Sequence, residues 1–234
     1  MPPYRGLQNF GNTCWFNAVI SALSVFDVFR EAVEADLAFL GSASPEIKRK
    51  LEYRNCYSFL LRLSLVLNGA KDADTNVAED AEPCIQNFID VYQQFTGKDQ
   101  DSGPVRINFA AIGRVEDAVE FFYEMLDHLQ KCTLFQGQGA QSKTLALFDN
   151  LGVHPVKRLV GSTNFYVQVK SDRDIGIVKK VIDVIHPPLL CLVKDRRDNG
   201  ISFFRFPESL DNDTETVNYK LKSFVCAEPN HYIS

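Results

Sequence analysis

The sequence has no Cys-x-x-Cys pair, no basic stripe, no long apolar run and only one tryptophan. Its six cysteines, Cys14, Cys56, Cys84, Cys132, Cys191 and Cys226, are scattered along 234 residues. That scatter gives no zinc ribbon and does not suit the disulfide framework of a small secreted domain. For five of the six, the ordinary account is a small, buried, apolar side chain in a reducing compartment. Net charge is -5, from 25 Lys and Arg against 30 Asp and Glu. An acidic chain of this kind is a poor nucleic-acid binder, is repelled by anionic membranes and suits a basic partner. No stretch reaches the ~18 apolar residues of a membrane span. The first residues, MPPYRGLQNFGNTC, lack the basic segment and apolar run of a signal peptide. A cytoplasmic or nuclear protein is expected, with no internal repeat and no low-complexity segment.

What is present is an ordinary globular composition, 45% hydrophobic with 18 Phe, which predicts a sizeable core. The first half reads as helical. WFNAVISALSVFDVF has helical apolar spacing, with Asn12 or Thr13 as candidate cap. A second helix is expected from about Pro45 to Leu67, stopped by Asn68-Gly69. Residues 71–80 and 97–104 read as loops, with a third helix from about Glu82 to Phe95 between them. Residues 115–131 carry Val115, Ala118, Val119, Phe122, Met125, Leu126 and Leu129 at spacings of three and four, a strong amphipathic helix. The second half changes period. Residues 163–170, 178–185, 189–195, 201–206 and 219–226 are short β-rich runs, with an Asp-Asn-Gly hairpin signal at 198–200. Helices first and strands afterwards predict an α+β fold with a largely antiparallel sheet.

Cys14 lies between a Gly-Asn-Thr turn and an apolar helix. The first amides of a helix carry partial positive charge, a setting that favours the reactive thiolate. Asn9 offers a carboxamide nearby in sequence, a donor type suited to an oxyanion. From the turn and helix alone, a small core cysteine at a helix start is the better account. The surrounding residues change that balance. Gly6, Leu7, Asn9, Gly11, Asn12, Thr13, Cys14, Trp15 and Asn17 resemble the Cys box of the ubiquitin-specific proteases, where Tyr usually follows the Cys. The resemblance implies Cys14 as nucleophile, Asn9 as oxyanion donor and Trp15 beside the substrate.

A cysteine nucleophile needs a base. The chain offers His128, His154, His186 and His231, and each of the first three is by itself better explained as a surface or core residue. EPNHYIS resembles the family's His box, with Asn230 in place of the usual Gly. Asn tolerates left-handed backbone angles better than most residues. The resemblance implies His231 as base and Tyr232 as lining for the channel that takes the substrate's C-terminal glycines. The family's third catalytic residue, an Asp or Asn on a later strand, has no counterpart before Ser234. The expectation is a fragment of a longer protein, an orienting group from elsewhere, or a weakened enzyme.

VEDAVEFFYEMLDHL resembles the family's central box through Glu116, Asp117, Ala118, Glu120, Phe121, Leu126 and Asp127. Asp117 and Glu120 are three apart, so both fit one side of a helix start. In isolation, helix capping and a solvated acidic face are the better account of them. The resemblance implies that they bind the arginine-containing tail of ubiquitin. PPLLCLVKDRRD, FFRFPESLD and YKLKSFVC follow in family order. The family's zinc-binding Cys pairs are absent, which implies reduced fingers. The expected protein is a single papain-like domain over residues 1–234, with a helical lobe over 1–131 and a β-rich lobe over 160–234. It would act as a monomer on ubiquitin or ubiquitinated proteins, with no cofactor and no metal. The alternatives are a ubiquitin-binding scaffold that no longer cleaves and a protease for a ubiquitin-like modifier.

Overall fold

Helix α1 (Cys14–Ser24) is apolar on nearly every side, and that decides where it sits. Nine of its residues are buried, Cys14 through Ile20 together with Leu23 and Ser24. A helix buried all round has to be enclosed by other elements. In the computed structural model, which describes residues 7, 13–71, 90–92, 94–95, 118–136, 140–148, 167–169, 176, 178–179, 182, 188–194, 209–211, 218–221, 223, 225–228 and 231–233, those elements are three helices and a strand.

Two of them follow directly. The sequence pattern predicts one helix through Phe29, but the chain turns at Val25 and Phe26, and Phe26 is extended at φ -100° and ψ 104°. Asp27 then opens α2 (Asp27–Gly41), where it favours the positive helix end and pairs with Arg30. Ser44 caps a single turn, α3 (Pro45–Lys48), accepting from the Ile47 amide at 3.4 Å, with Pro45 in the first turn. The expected second helix is therefore two pieces, the longer being α4 (Leu51–Lys71).

Packing of α2 on α4 makes the centre of the core. Phe29, Val33 and Leu40 meet the band formed by Cys56, Phe59, Leu60, Leu63 and Leu67, all fully buried. Leu61 and Leu65, on the other face of α4, stay exposed. Asn68-Gly69 does not stop α4, which runs on to Lys71. The Asn68 side chain is engaged instead across the helix pair: its oxygen accepts from Arg30 and its amide donates to Glu34, both at 3.4 Å.

The amphipathic helix predicted over 115–131 is present as α5 (Ala118–Lys131), with 115–117 outside the described residues. Its buried stripe is Ala118, Phe121, Phe122, Met125, Leu126 and Leu129. Of the helix expected over Glu82 to Phe95, residues 90–92 and 94–95 are helical and the rest lies outside the described residues. Tyr92 donates to Glu124 at 2.6 Å, and Phe95 stacks on Phe59 with centroids 4.4 Å apart. Two single turns follow, α6 (Thr133–Gln136) and α7 (Lys143–Ala146). Asp36, buried on α2, holds the start of α7 by accepting from Ser142 Oγ at 2.6 Å, the Lys143 amide at 2.7 Å and the Thr144 amide at 3.1 Å.

Strands dominate afterwards, as three two-stranded pairs among the described residues. β1 (Val167–Val169) runs parallel to β2 (Leu192–Lys194). β3 (Ser209–Asp211) and β4 (Asn218–Lys220) are antiparallel, as are β5 (Cys226–Glu228) and β6 (His231–Ile233). The fold is α+β, with one parallel pairing inside the expected antiparallel set. That pairing explains a second departure. Parallel neighbours need a long crossover, usually helical. Val178, Lys179 and Ile182, expected in the β-rich run 178–185, are helical, as is Gly176 before them, and all lie between β1 and β2 in the chain. Val178 and Ile182 are fully buried and four apart, a helical spacing that the β-branched composition of 178–185 disguised. The runs at 198–200 and 201–206, and the loops at 72–80 and 97–104, lie outside the described residues.

The chain divides into two units, Met1–Thr144 with Ser223–Ser234, and Leu145–Lys222. The last strands thus belong with the first helices. Among the described residues, no helix is long and apolar enough to cross a membrane.

Candidate active site

Cys14 is the first residue of α1 and 4% exposed. Thr13 occupies the N-cap position without a side-chain capping bond, and its carbonyl accepts from the Asn17 amide at 2.9 Å. Trp15 is also buried, at 5%. Its ring stands edge-on to Phe121 at 5.0 Å and to Phe16 at 6.0 Å. Phe121 also meets Phe16 at 5.6 Å and Tyr92 at 5.2 Å. The indole is therefore a packing element that joins the start of α1 to the first turn of α5. Its Nε1 is buried with no hydrogen-bond partner among the described residues.

Glu120 precedes Phe121 and is exposed on that same first turn of α5. It is thereby held at the end of α5 that abuts the beginning of α1. Asp117 and Asn9 lie outside the described residues.

The strand that opens on His231 packs against α1. β6 pairs with β5 through Ala227↔Tyr232 and Glu228↔His231, which fixes the backbone positions of both His231 and Tyr232. Ser223 Oγ adds a tie nearby, donating to the Ala22 carbonyl of α1 at 2.9 Å. Within one unit, α1 thus touches two elements distant from it in sequence: α5, whose first turn bears Glu120, and the strand begun by His231. His128, by contrast, is edge-on to Phe95 at 5.6 Å on α5.

No family model, curated protein or solved structure matches this chain. The site therefore rests on its own chemistry. Among the described residues, no group of three or more His, Cys, Asp or Glu is placed to hold a metal ion.

Other thiols were not singled out by the sequence. Cys56 on α4 and Cys132 after α5 are both buried and unbridged. The Cys56 thiol donates a hydrogen bond to the Cys132 sulfur, which raises the Cys56 pKa, and burial adds to the rise. The same bond lowers the Cys132 pKa against the opposing effect of burial. Glu52 braces these segments, accepting from the Thr133 amide at 2.8 Å and from Thr133 Oγ1 at 2.9 Å. Half-buried Cys191 has its thiol pushed up to about 12 by burial. At pH 8 roughly one such thiol in ten thousand is ionised. Alkylation of the native protein at pH 8 is expected to spare Cys56 and Cys191, and peptide mass mapping checks this. Rapid modification of either would contradict the enclosed settings described.

Asn17 is the other residue whose position carries information beyond its motif match. It is 8% exposed on α1, and its side-chain amide donates to the Leu7 carbonyl at 3.3 Å.

Proposed function

We propose that this protein is a papain-like thiol hydrolase of the ubiquitin-specific protease type, with reduced fingers, cleaving the bond after the C-terminal glycine of ubiquitin. The observation that carries this reading is the packing of the strand begun by His231 against the helix begun by Cys14. The two segments with the most specific motifs are also the two that tertiary structure brings together.

In this mechanism, His231 takes the Cys14 proton and the sulfur attacks the glycine carbonyl carbon. The Asn9 carboxamide donates to the developing oxyanion, where a preorganised donor is worth most. Collapse of the tetrahedral intermediate expels the lysine amine, which leaves with the proton held by His231. Water then attacks the thioester, His231 again accepting a proton, and releases free ubiquitin and the thiol. Tyr232, which follows the base on β6, is assigned to the channel for the glycines. Trp15 acts from beneath, through the packing that fixes the start of α1.

Asp117 and Glu120 are assigned to the basic tail of ubiquitin. Asp117→Asn and Glu120→Gln are expected to raise KM severalfold with little change in kcat. The penalty should shrink as salt rises, because exposed charge pairs are screened over about 8–10 Å at physiological ionic strength. Steady-state kinetics at two salt concentrations check this, and unchanged KM in both variants would leave the carboxylates as a helix start only.

The reading as a whole is tested with ubiquitin bearing a C-terminal electrophile, alongside ubiquitin-like modifiers carrying the same group. A covalent adduct with ubiquitin is expected. An adduct with a modifier alone would shift the substrate, and no adduct with any of them would remove the activity.

A further inference from the structure

Cys56 and Cys132 have no part in the thiol-hydrolase reading, yet the fold sets them side by side. Cys56 lies on α4 and Cys132 directly follows α5, 76 positions later in the chain. Both are buried and unbridged. The Cys132 sulfur accepts from the Cys56 thiol and from the Leu134 amide. Two donors on one sulfur favour its thiolate, the form that reacts. A separate set of bonds fixes the approach. Glu52 accepts from the Thr133 amide at 2.8 Å and from Thr133 Oγ1 at 2.9 Å. Cys56 is one turn beyond Glu52 on the same face of α4, and Cys132 is the residue before Thr133. The clamp therefore holds the two backbones that carry the thiols. Lys131, Thr133 and Glu52 are exposed around them, so Cys132 is one residue deep at the end of a helix, where local opening costs least.

We propose that Cys56 and Cys132 are a peroxide-sensitive pair that closes into a reversible disulfide, tying α4 to the end of α5. The inference stands apart from the thiol-hydrolase reading. Its oxidant is hydrogen peroxide. The Cys132 thiolate attacks one peroxide oxygen: an S–O bond forms, the O–O bond breaks, and the departing hydroxide becomes water with the proton that Cys132 gave up. The Cys56 sulfur then attacks the Cys132 sulfur: the S–S bond forms, the S–O bond breaks, and the second oxygen leaves as water with the Cys56 proton. Two thiols and one peroxide become one disulfide and two waters. A dithiol reverses the bond by exchange, and in a reducing compartment such a bond is transient and redox-sensing. Closure draws two sulfurs already in contact to about 2.05 Å. Because the joined residues are far apart in the chain, the bridge constrains the unfolded state strongly.

The test treats the folded protein with hydrogen peroxide, blocks the remaining thiols by alkylation under denaturing conditions, and maps peptides without reductant. A peptide pair joined through Cys56 and Cys132 is expected, absent before treatment and lost again after dithiothreitol. In Cys56→Ser the reaction should stop at the Cys132 sulfenic acid, captured by dimedone, and in Cys132→Ser the Cys56 thiol should stay free. Thermal melting is followed in Cys14→Ala, so that oxidation of Cys14 does not enter, and the bridged form should melt roughly 4–16 °C above the reduced one. Both thiols still free after treatment, or a bridge from either to a different cysteine, would overturn the proposal. So would a bridge that forms only in urea, or a bridged form that melts no higher than the reduced one. The peptide map of the wild-type chain decides the matter even where a serine variant does not fold.

Discussion

Cys14→Ala is expected to abolish covalent capture by a ubiquitin electrophile and to reduce hydrolysis by on the order of 10⁶-fold, the scale of losing a nucleophile from a catalytic set. The fold should survive. Cys14 is a small residue at the first position of α1, and alanine is the stronger helix former. Residual attachment would point to another sulfur. Among the described cysteines, Cys132 is the natural rival, because the hydrogen bond from Cys56 lowers its pKa. Its surroundings argue against it: the nearest histidine in sequence, His128, is edge-on to Phe95. Intact-mass measurement of Cys14→Ala and Cys132→Ala side by side decides between them. Undiminished capture by Cys14→Ala would end the assignment.

Phe121→Ala should produce the largest loss of stability. Phe121 is 2% exposed and meets three aromatic rings, Trp15, Phe16 and Tyr92. Truncating a buried Phe costs about 3–5 kcal/mol in transfer and cavity terms. Edge-to-face pairs contribute roughly 0.5–1.5 kcal/mol beyond burial, which favours the upper part of that range. At this chain length each kcal/mol corresponds to a Tm shift of about 2–4 °C, so a fall of roughly 6–20 °C is expected. Phe121→Leu keeps most of the volume and should cost far less. The effect should reach the site as well. With Phe121 gone, Trp15 loses the ring that holds it against α5, and the residue beside Cys14 is less firmly placed. Urea unfolding of both variants measures the difference. A Phe121→Ala midpoint equal to wild type would mean that this aromatic cluster does not form in solution.

How much could be read from residues alone follows the range of the interactions involved. The helix begun by Cys14 and the amphipathic helix ending at Lys131 are local, set by apolar spacing, and both are present. The turn at Val25 and Phe26 is not local, because the 3.6-residue pattern continues through it and only packing on α4 selects the break. Asn68-Gly69 carries a stop signal, but bonds from Arg30 and to Glu34, on a different helix, draw the Asn68 side chain across the interface. The strand-like composition around Val178 and Ile182 gave way to helix because a parallel pair needs a crossover. At the site, Cys14 and His231 each stood out by motif, but nothing in either motif states that their segments touch. The Asn17–Leu7 bond and the Cys56–Cys132 contact are tertiary facts of the same kind.

The division of the chain carries a consequence for the order of events during synthesis. The first unit is written in two instalments, with Leu145–Lys222 inserted between them. Ser223 bonds the Ala22 carbonyl across a separation of 201 residues. A ribosome adding about 5–20 residues per second takes roughly 10–40 s to cover that interval. Throughout it, α1 exists without the strand that later packs against it. A nascent chain therefore carries Cys14 long before it carries His231, and the thiol stays without its assigned base while translation continues. Pairing that spans so much chain is also slow to form once both parts exist, because loop closure precedes any gain from contact. Whatever chemistry Cys14 performs begins as a late event in the life of the molecule, timed by the order in which the chain is made.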